Sequence, residues 1–322
     1  MRSRISSCEI YRVGIATIAA ALTIFPAFAQ REEQTLKIST DLVAVDVTVT
    51  DRDGNFIRNL TADDFTVYED GVPLKKLDFF EANQEAALTR PIALVFAVDN
   101  SGSIKPEERV KQQQAAEGFM KLVRPESLFA VVAFKYDSKI IQDFTSDPKR
   151  ISRAFERIGE TGGNSGIFAA IGRGISMLQR APRFRDGRRL RRVVLVISDG
   201  YDNVGRPDEQ GGLIERANEA EVTVYSITLP SFSPGLDRQR IMTLLDVSRI
   251  VPKTGGADFT ADSSDFRPVF KAIAEEIRMS YTLAYYPADK IRHDGRTHQV
   301  RVEVKRPGAV VRASRTSYQA GA

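Results

Sequence analysis

Two uninterrupted apolar runs constrain the fold of this 322-residue chain more than any other feature. Residues 92–98 read Ile-Ala-Leu-Val-Phe-Ala-Val, and residues 193–197 read Val-Val-Leu-Val-Ile. A strand with one face toward water alternates apolar and polar residues, whereas a strand buried on both faces is apolar throughout. Helical patterns separate these runs from other strand-like stretches. The order predicts an α/β domain with a doubly wound, mainly parallel sheet over residues 89–280.

Short strand patterns flank this domain on both sides. They cover residues 42–49, 64–68 and 74–80 before the domain, and 281–286, 298–305 and 310–314 after it. No long linker separates the tail strands from the helix before them. We therefore expect an N-terminal β-strand module over residues 30–88 to be completed by the C-terminal segment 281–322. Together they would form a small antiparallel β module.

The first 29 residues have the features of a signal peptide. Arg2, Arg4 and Arg12 precede or open an apolar stretch, and Ala27-Phe28-Ala29 offers small residues at the positions that a signal peptidase reads. The alternative is an uncleaved anchor, which is the only case in which we expect membrane contact. We expect an exported protein: periplasmic, in the cell envelope or extracellular. Cys8, the one cysteine, precedes the apolar stretch, so the mature chain would depend on its core for stability.

The charge balance excludes little except nucleic acid as a partner. The formal charge of +4 would become +2 without the three Arg and one Glu of residues 1–29, and a near-neutral chain gives no reason to expect nucleic-acid binding. An arginine cluster precedes the second apolar run; it could meet an acidic partner or anionic lipid, but a solvated loop is the default interpretation. Its members are Arg180, Arg183, Arg185, Arg188, Arg189, Arg191 and Arg192. For the two histidines, His293 and His298, we expect a surface role rather than catalysis.

Oxygen-bearing side chains follow both apolar runs. Asp99-Asn100-Ser101-Gly102-Ser103 follows the first, and Ser198-Asp199-Gly200 follows the second. In a doubly wound sheet, ligands bind beyond the carboxyl ends of the strands. The glycine-rich stretch Thr161-Gly162-Gly163-Asn164-Ser165-Gly166 lies between the two segments and supplies another hydroxyl. Carboxylates and hydroxyls without a base form a poor catalytic set but a good partial shell for a hard cation.

The combined pattern resembles the von Willebrand factor type A domain and its metal-ion-dependent adhesion site (MIDAS). It consists of D-x-S-x-S after one strand, a hydroxyl in a G-G-N-S loop and S-D-G after another strand. The flanking strands resemble those of exported type A-related proteins of acidobacteria. The resemblance implies a Rossmann-like fold and a bound Mg²⁺, with Mn²⁺ or Ca²⁺ as alternatives. The implied ligands are Asp99, Ser101, Ser103, Ser165 and Asp199. Ser165 stands where that family usually has threonine, and Thr161 or Asn164 is the alternative ligand from this loop.

In that family a partner's Asp or Glu side chain completes the metal shell, which implies a non-enzymatic module for protein binding or adhesion. One alternative is a structural envelope scaffold in which the metal serves stability. Another is a metal-assisted hydrolase, which would need a general base that the sequence does not evidently place.

Three motifs also have simpler interpretations. The Asp99 segment and Ser165 could each merely cap a helix. Asp51-Arg52-Asp53-Gly54 is better interpreted as a hairpin turn than as a calcium loop, because the twelfth position of such a loop is Ala62 and not glutamate.

Overall fold

The computed structural model describes residues 42–82, 90–102, 106–159, 162–198, 201–202, 204–205, 209–229, 245–246, 249–261 and 265–321. The predicted signal segment 1–29 lies outside these ranges. The strands are β1 (Val43–Thr50), β2 (Phe65–Glu69), β3 (Val72–Pro73), β4 (Phe79–Ala82), β5 (Ile92–Asp99), β6 (Leu128–Phe134), β7 (Ser138–Thr145), β8 (Phe184–Arg185), β9 (Arg188–Arg189), β10 (Arg191–Ser198), β11 (Tyr201–Asp202), β12 (Val222–Thr228), β13 (Leu245–Asp246), β14 (Asp258–Thr260), β15 (Ser280–Tyr285), β16 (Thr297–Val304), β17 (Val310–Ala313) and β18 (Ser317–Gln319).

The helices are α1 (Pro106–Met120), α2 (Pro148–Glu156), α3 (Ile167–Arg180), α4 (Glu209–Glu219), α5 (Ile250–Lys253), α6 (Arg267–Arg278) and α7 (Asp289–Arg292), with a 3₁₀ turn at Ala62–Asp64. Within the described ranges, no helix is both long and apolar enough to cross a membrane.

A six-stranded sheet in the order β14-β12-β10-β5-β6-β7 forms the centre of the α/β part. Its strands run parallel, except that β7 is antiparallel to β6. The sheet confirms the predicted fold class. Because β5 and β10 are adjacent and parallel, with Val98 opposite Ile197, both strands end at the same edge of the sheet. This edge is where the sequence places the candidate ligands.

Helices on both faces explain why β5 is apolar throughout. Ile92, Leu94, Phe96 and Val98 pack into the core that includes α1, α2 and α6, while the alternate residues between them pack into the core that includes α3 and α4. The Phe96 ring is fully buried and has its centroid within 6.3 Å of the centroids of Phe119, Phe129, Phe155 and Phe270. Burying such a side chain contributes about 2 kcal/mol, so this face anchors the strand that carries Asp99.

The strands outside the α/β part form two antiparallel sheets, ordered β17-β1-β15-β4 and β18-β16-β2-β3. Each sheet pairs N-terminal strands with tail strands, as predicted for a β module built from both flanks. The two sheets share one core, in which Val47 and Val67 pack with Tyr281 and Val302. The predicted domain limits at residues 30, 89 and 281 stay predictions.

The strand expected over residues 74–80 is not continuous. The chain instead forms β3 beside β2 and then β4 beside β15. The segment between them crosses from one sheet of the module to the other, so it cannot pair along its whole length. Leu74 still donates its N–H to the Val67 carbonyl at 2.8 Å. The predicted strand is therefore confirmed only at its C-terminal end, Phe79 and Phe80, and was wrong for residues 74–78.

Arg191 and Arg192 do not lie in a solvated loop, which corrects the default interpretation of the arginine cluster for these two residues. Both begin β10 and are about 5% exposed. Arg191 donates to the Ile277 carbonyl at 3.0 Å and to the Tyr225 hydroxyl at 3.0 Å. Arg192 donates to the Ala220 carbonyl at 3.0 Å. These acceptors replace the water that the guanidinium groups give up on burial.

Ion pairs that are largely shielded from water also join the β module to the α/β part. Arg312 of β17 pairs with Glu276 of α6 at 3.1 Å, and Arg90, two residues before β5, pairs with Asp46 of β1 at 2.7 Å. Burial alone would raise the pKa of Asp46, but the nearby guanidinium groups, Arg90 foremost, lower it to about 2. The carboxylate is therefore ionised over the whole ordinary pH range, and this contact persists there.

Candidate metal site

The carboxylate of Asp99 lies at the carboxyl end of β5 and is 1% exposed. Ser198, the last residue of β10, donates its hydroxyl to Asp99 Oδ2 at 2.6 Å. The backbone N–H of Ser101 donates to Asp99 Oδ1 at 2.8 Å. The two strand ends therefore bring a carboxylate and a hydroxyl together, as their parallel pairing requires.

The glycine-rich loop before α3 supplies a second hydroxyl. Ser165 donates to Asp99 Oδ2 at 3.0 Å, and its side chain is 4% exposed. Helix α3 begins at Ile167 with Gly166 as its N-cap and without a side-chain cap. The Ser165 hydroxyl is thus directed at the carboxylate.

Main-chain hydrogen bonds fix this loop against the loop that follows β5. Gly162 donates to the Asn100 carbonyl at 3.1 Å, and Gly102 donates to the Gly163 carbonyl at 3.3 Å. Gly166 donates to the Lys135 carbonyl at 2.7 Å, and a Cβ at Gly166 would lie only 2.9 Å from that oxygen. Glycine at 166 therefore permits the close approach that places Ser165 beside Asp99.

Arg109 of α1 links the loop that follows β5 to the segment that follows α2. Its guanidinium donates to Asn100 Oδ1 and, at 3.1 and 3.0 Å, to the carbonyls of Ile158 and Gly159. Burial lowers the pKa of Arg109, although guanidinium groups stay protonated in proteins. The sequence analysis assigned no role to Arg109 or Asn100. Arg109 lies in a helix, nine positions after Asn100, and belongs to no recognisable motif.

The other predicted residues divide into two groups. Ser101 lies beside Asp99 and is 4% exposed, and Asn164, the alternative loop ligand, is exposed. Ser103, Asp199 and Thr161 lie outside the described residues. Helix α1 begins at Pro106, so its first residue follows Ser101 by five positions.

Ser198 is the neighbour of Asp99 that sequence reasoning left out of the site. The signal was present, since Ser198 precedes Asp199 in the S-D-G segment at the end of an apolar strand. The structure directs this hydroxyl and that of Ser165 at the same carboxylate oxygen. A cation bound at this edge would therefore find the Asp99 carboxylate with two serine hydroxyls already beside it.

The donor set fits a hard divalent cation. Carboxylate and hydroxyl oxygens are the ligands that Mg²⁺ and Ca²⁺ prefer, and no sulfur or imidazole is among the candidates. The part of the chain that the structure describes contains no cluster of three or more His, Cys, Asp or Glu side chains suited to a metal. The candidate set does not need such a cluster, because only two of its five members are carboxylates.

Residues 94–201 match the model of the von Willebrand factor type A domain. This stretch begins inside β5 and includes the Asp99 segment, the glycine-rich loop and Asp199. A comparison with curated proteins finds no match.

Several solved structures are similar to this chain at low identity. BatB from Bacteroides thetaiotaomicron is 19% identical, with 58% of this chain and 97% of that chain covered and a TM-score of 0.43. A von Willebrand factor type A protein from Catenulispora acidiphila is 12% identical, with 80% and 74% covered and a TM-score of 0.48. Proximal thread matrix protein 1 from the mussel byssus, described with a zinc-occupied MIDAS motif, is 14% identical, with 64% and 49% covered and a TM-score of 0.46. The fold assignment rests on the strand order and the family match.

Proposed function

We propose, from the premise that residues 94–201 form a von Willebrand factor type A domain, that this protein is an exported, divalent-cation-dependent protein-binding module. Asp99, Ser101, Ser103, Ser165 and Asp199 would hold the cation, Mg²⁺ by preference, with Mn²⁺ or Ca²⁺ as alternatives. When bound, the cation would supply a Lewis-acidic position that an Asp or Glu side chain of a partner occupies. The proposal includes no catalytic step.

The observation that carries the proposal is the convergence of two hydroxyls on one buried carboxylate oxygen. Ser165 and Ser198 reach Asp99 Oδ2 from a loop and from a neighbouring strand, at 3.0 and 2.6 Å. Burial of an ionised carboxylate is costly unless hydrogen bonds or a cation offset it. A site that already positions its oxygens loses little conformational entropy when a cation enters.

The charge balance of the donor set favours an acidic partner. The two carboxylates would balance the charge of a divalent cation. With the three hydroxyls they supply five ligands, which leaves one position of an octahedral shell open. A partner carboxylate would replace a bound water at the open position. Its Coulomb attraction to the cation would be stronger than in bulk water, because the site is partly buried. A neutral partner side chain would gain less.

Metal binding and partner binding can be tested on the same purified chain. Isothermal titration calorimetry with Mg²⁺, Mn²⁺ and Ca²⁺ should give saturable binding that Asp99→Ala and Asp199→Ala each weaken by at least tenfold. Pull-downs from envelope extract should retain a partner with Mg²⁺ and lose it with chelator. Asp289→Ala removes an exposed carboxylate from the short helix α7 and is the matched control.

Two results would contradict the proposal in different ways. Unchanged metal and partner binding in Asp99→Ala and Asp199→Ala would remove the site altogether. A large rise in melting temperature with Mg²⁺, without any metal-dependent partner, would favour the envelope scaffold instead, because a ligand that binds only the folded state stabilises it.

A further inference from the structure

A groove of about 500 Å³ runs between helices α3 and α4. Its walls include Phe168, Arg173 and Ser176 of α3, together with Leu213 and Arg216 of α4. Gly172 widens it, because a Cβ there would come within 3.4 Å of both Leu213 and Arg216 side-chain atoms. The groove is not part of the candidate metal site described above.

The groove has a net positive charge. Two arginines, Arg173 and Arg216, and one acidic side chain, Glu209, line it. Arg216 is half-buried and holds the two helices together, donating to the Gly172 carbonyl at 3.2 Å and to Ser176 Oγ at 3.0 Å. Arg173 is exposed, and its Nε donates to Ser138 Oγ at 3.4 Å, which directs the side chain along one wall. An anionic side chain is the group that these charges favour.

The groove lies close along the chain to the candidate metal site, because its wall begins in the first turn of α3. Ser165, which contacts Asp99, is three residues before Phe168 in the wall. The helical rise from Ile167 to Arg173 is about 9 Å. An extended peptide spans this distance in about three residues.

We propose that the groove receives a second acidic side chain of the partner segment, about three residues from the carboxylate that binds the cation. The inference rests on the proposed function, since the first acidic side chain fixes the segment at the metal. Arg173 is the specificity-determining contact, and Glu209 opposes the same ligand. The ligand class is a diacidic, extended peptide segment.

Synthetic peptides immobilised at high density provide the test, by biolayer interferometry in Mg²⁺ and in chelator. One peptide contains a single Glu in a Gly/Ser background, a second has Glu-Ser-Ser-Glu, and a third has adjacent Glu-Glu. We expect Glu-Ser-Ser-Glu to bind about tenfold more tightly than the single-Glu peptide, the gain expected for one added charge-assisted hydrogen bond. Adjacent Glu-Glu has the same charge but cannot span the distance, so it should gain at most twofold.

Variants assign the effect to the groove. Arg173→Gln should remove the tenfold preference and leave single-Glu binding unchanged, whereas Glu209→Gln should increase the preference. Arg180→Gln alters an exposed arginine at the end of the same helix and should have no effect. Equal binding of the single-Glu and Glu-Ser-Ser-Glu peptides, or a preference that survives in Arg173→Gln, would overturn the groove inference alone. Loss of all Mg²⁺-dependent binding in the unmodified protein would overturn the proposed function and the groove inference together.

Discussion

The Nδ1 atom of His298 lies 2.7 Å from Oδ2 of Asp70. The other ring nitrogen lies 3.1 Å from Asp294 Oδ1, and the ring stacks on Tyr318 at 5.3 Å between centroids. Ionised carboxylates only accept hydrogen bonds, so the ring donates in both contacts when it is an imidazolium. Its side chain is 6% exposed, which corrects the expected surface role. The hydrogen bond to Asp70 foremost raises the pKa of His298 above its usual 6.5.

The first prediction concerns stability against pH. A histidine with a raised folded-state pKa stabilises the fold fully below pH 6.5, and this contribution is lost as pH rises through the folded-state pKa. Asp70, whose pKa is lowered chiefly by the same hydrogen bond, stabilises it above pH 3.8. Between pH 6 and pH 9, we expect the free energy of unfolding to fall by about 1 kcal/mol more in the unmodified protein than in His298→Gln. The effect is no larger because Asp70 is half-exposed and solvent screens its charge. Urea unfolding at the two pH values measures the difference.

The exposed His293 offers a matched control for this experiment. His293→Gln should show the pH dependence of the unmodified protein. If His298→Gln also shows it, the ion pair contributes nothing to stability in this range.

The second prediction resolves which loop residue is a ligand. Ser165→Ala should weaken Mg²⁺ binding by about tenfold, the effect of losing one oxygen ligand worth about 1.4 kcal/mol, whereas Ser165→Thr should preserve it by retaining the oxygen. Asn164→Ala removes an exposed side chain and should leave the affinity unchanged. Titration calorimetry on the three variants and on Thr161→Ala distinguishes the alternatives. A loss confined to Asn164→Ala or Thr161→Ala would shift the ligand assignment along the loop.

The third prediction concerns the close approach at Gly166. A Cβ at this position would lie 2.9 Å from the Lys135 carbonyl oxygen and 3.1 Å from that of Tyr136. Since both obstructing atoms are backbone, Gly166→Ala should destabilise the protein by about 1–3 kcal/mol and weaken Mg²⁺ binding by displacing Ser165. Thermal melting and metal titration measure the two effects.

A second glycine in a different setting serves as the comparison. Gly118 is exposed in α1, and a Cβ added there would meet no atom within 4 Å. Gly118→Ala should therefore stabilise the protein by about 0.5–1 kcal/mol through helix propensity. A Gly166→Ala protein as stable as Gly118→Ala would show that the loop can move without cost.

The fourth prediction concerns the ion pair between the buried Glu276 and the partly exposed Arg312. Arg312→Met should destabilise the protein by about 3–5 kcal/mol because it leaves a buried carboxylate without its main partner. The double variant Glu276→Met/Arg312→Met should recover most of this loss, since apolar side chains of similar volume avoid the desolvation cost. A double-mutant cycle from urea unfolding gives the coupling energy. Additive single effects would mean that the two side chains do not interact.

The α/β fold could be predicted from the sequence because a strand buried on both faces is an uninterrupted run of apolar residues. Each of the two apolar runs became a central strand, and Asp99 lies at the strand end where the pattern placed it. The family resemblance implied Ser165, and the structure brings its hydroxyl to Asp99. The metal itself and the roles of Ser103 and Asp199 stay predictions.

Features that depend on distant partners could not be predicted in this way. The sequence indicates only that Arg191 belongs to a basic cluster. Its acceptors, the Tyr225 hydroxyl and the Ile277 carbonyl, are distant in the sequence and come beside it only in the fold. His298 had a signal, since it continues the inward-facing alternation of Val300 and Val302 along β16. That alternation could not show that carboxylates from two turns would receive its ring.

Ala82 and Tyr281 are directly opposite each other in the ladder between β4 and β15. The chain between them, residues 83–280, therefore leaves and re-enters the β module at one point, as a closed loop. Ordering so long a loop before its interior folds would cost entropy that no local contact returns. We therefore expect the inserted α/β part to fold first and the strands on either side of it to pair late. Pairing of β4 with β15, which are far apart in the sequence, would then be the slow step of folding.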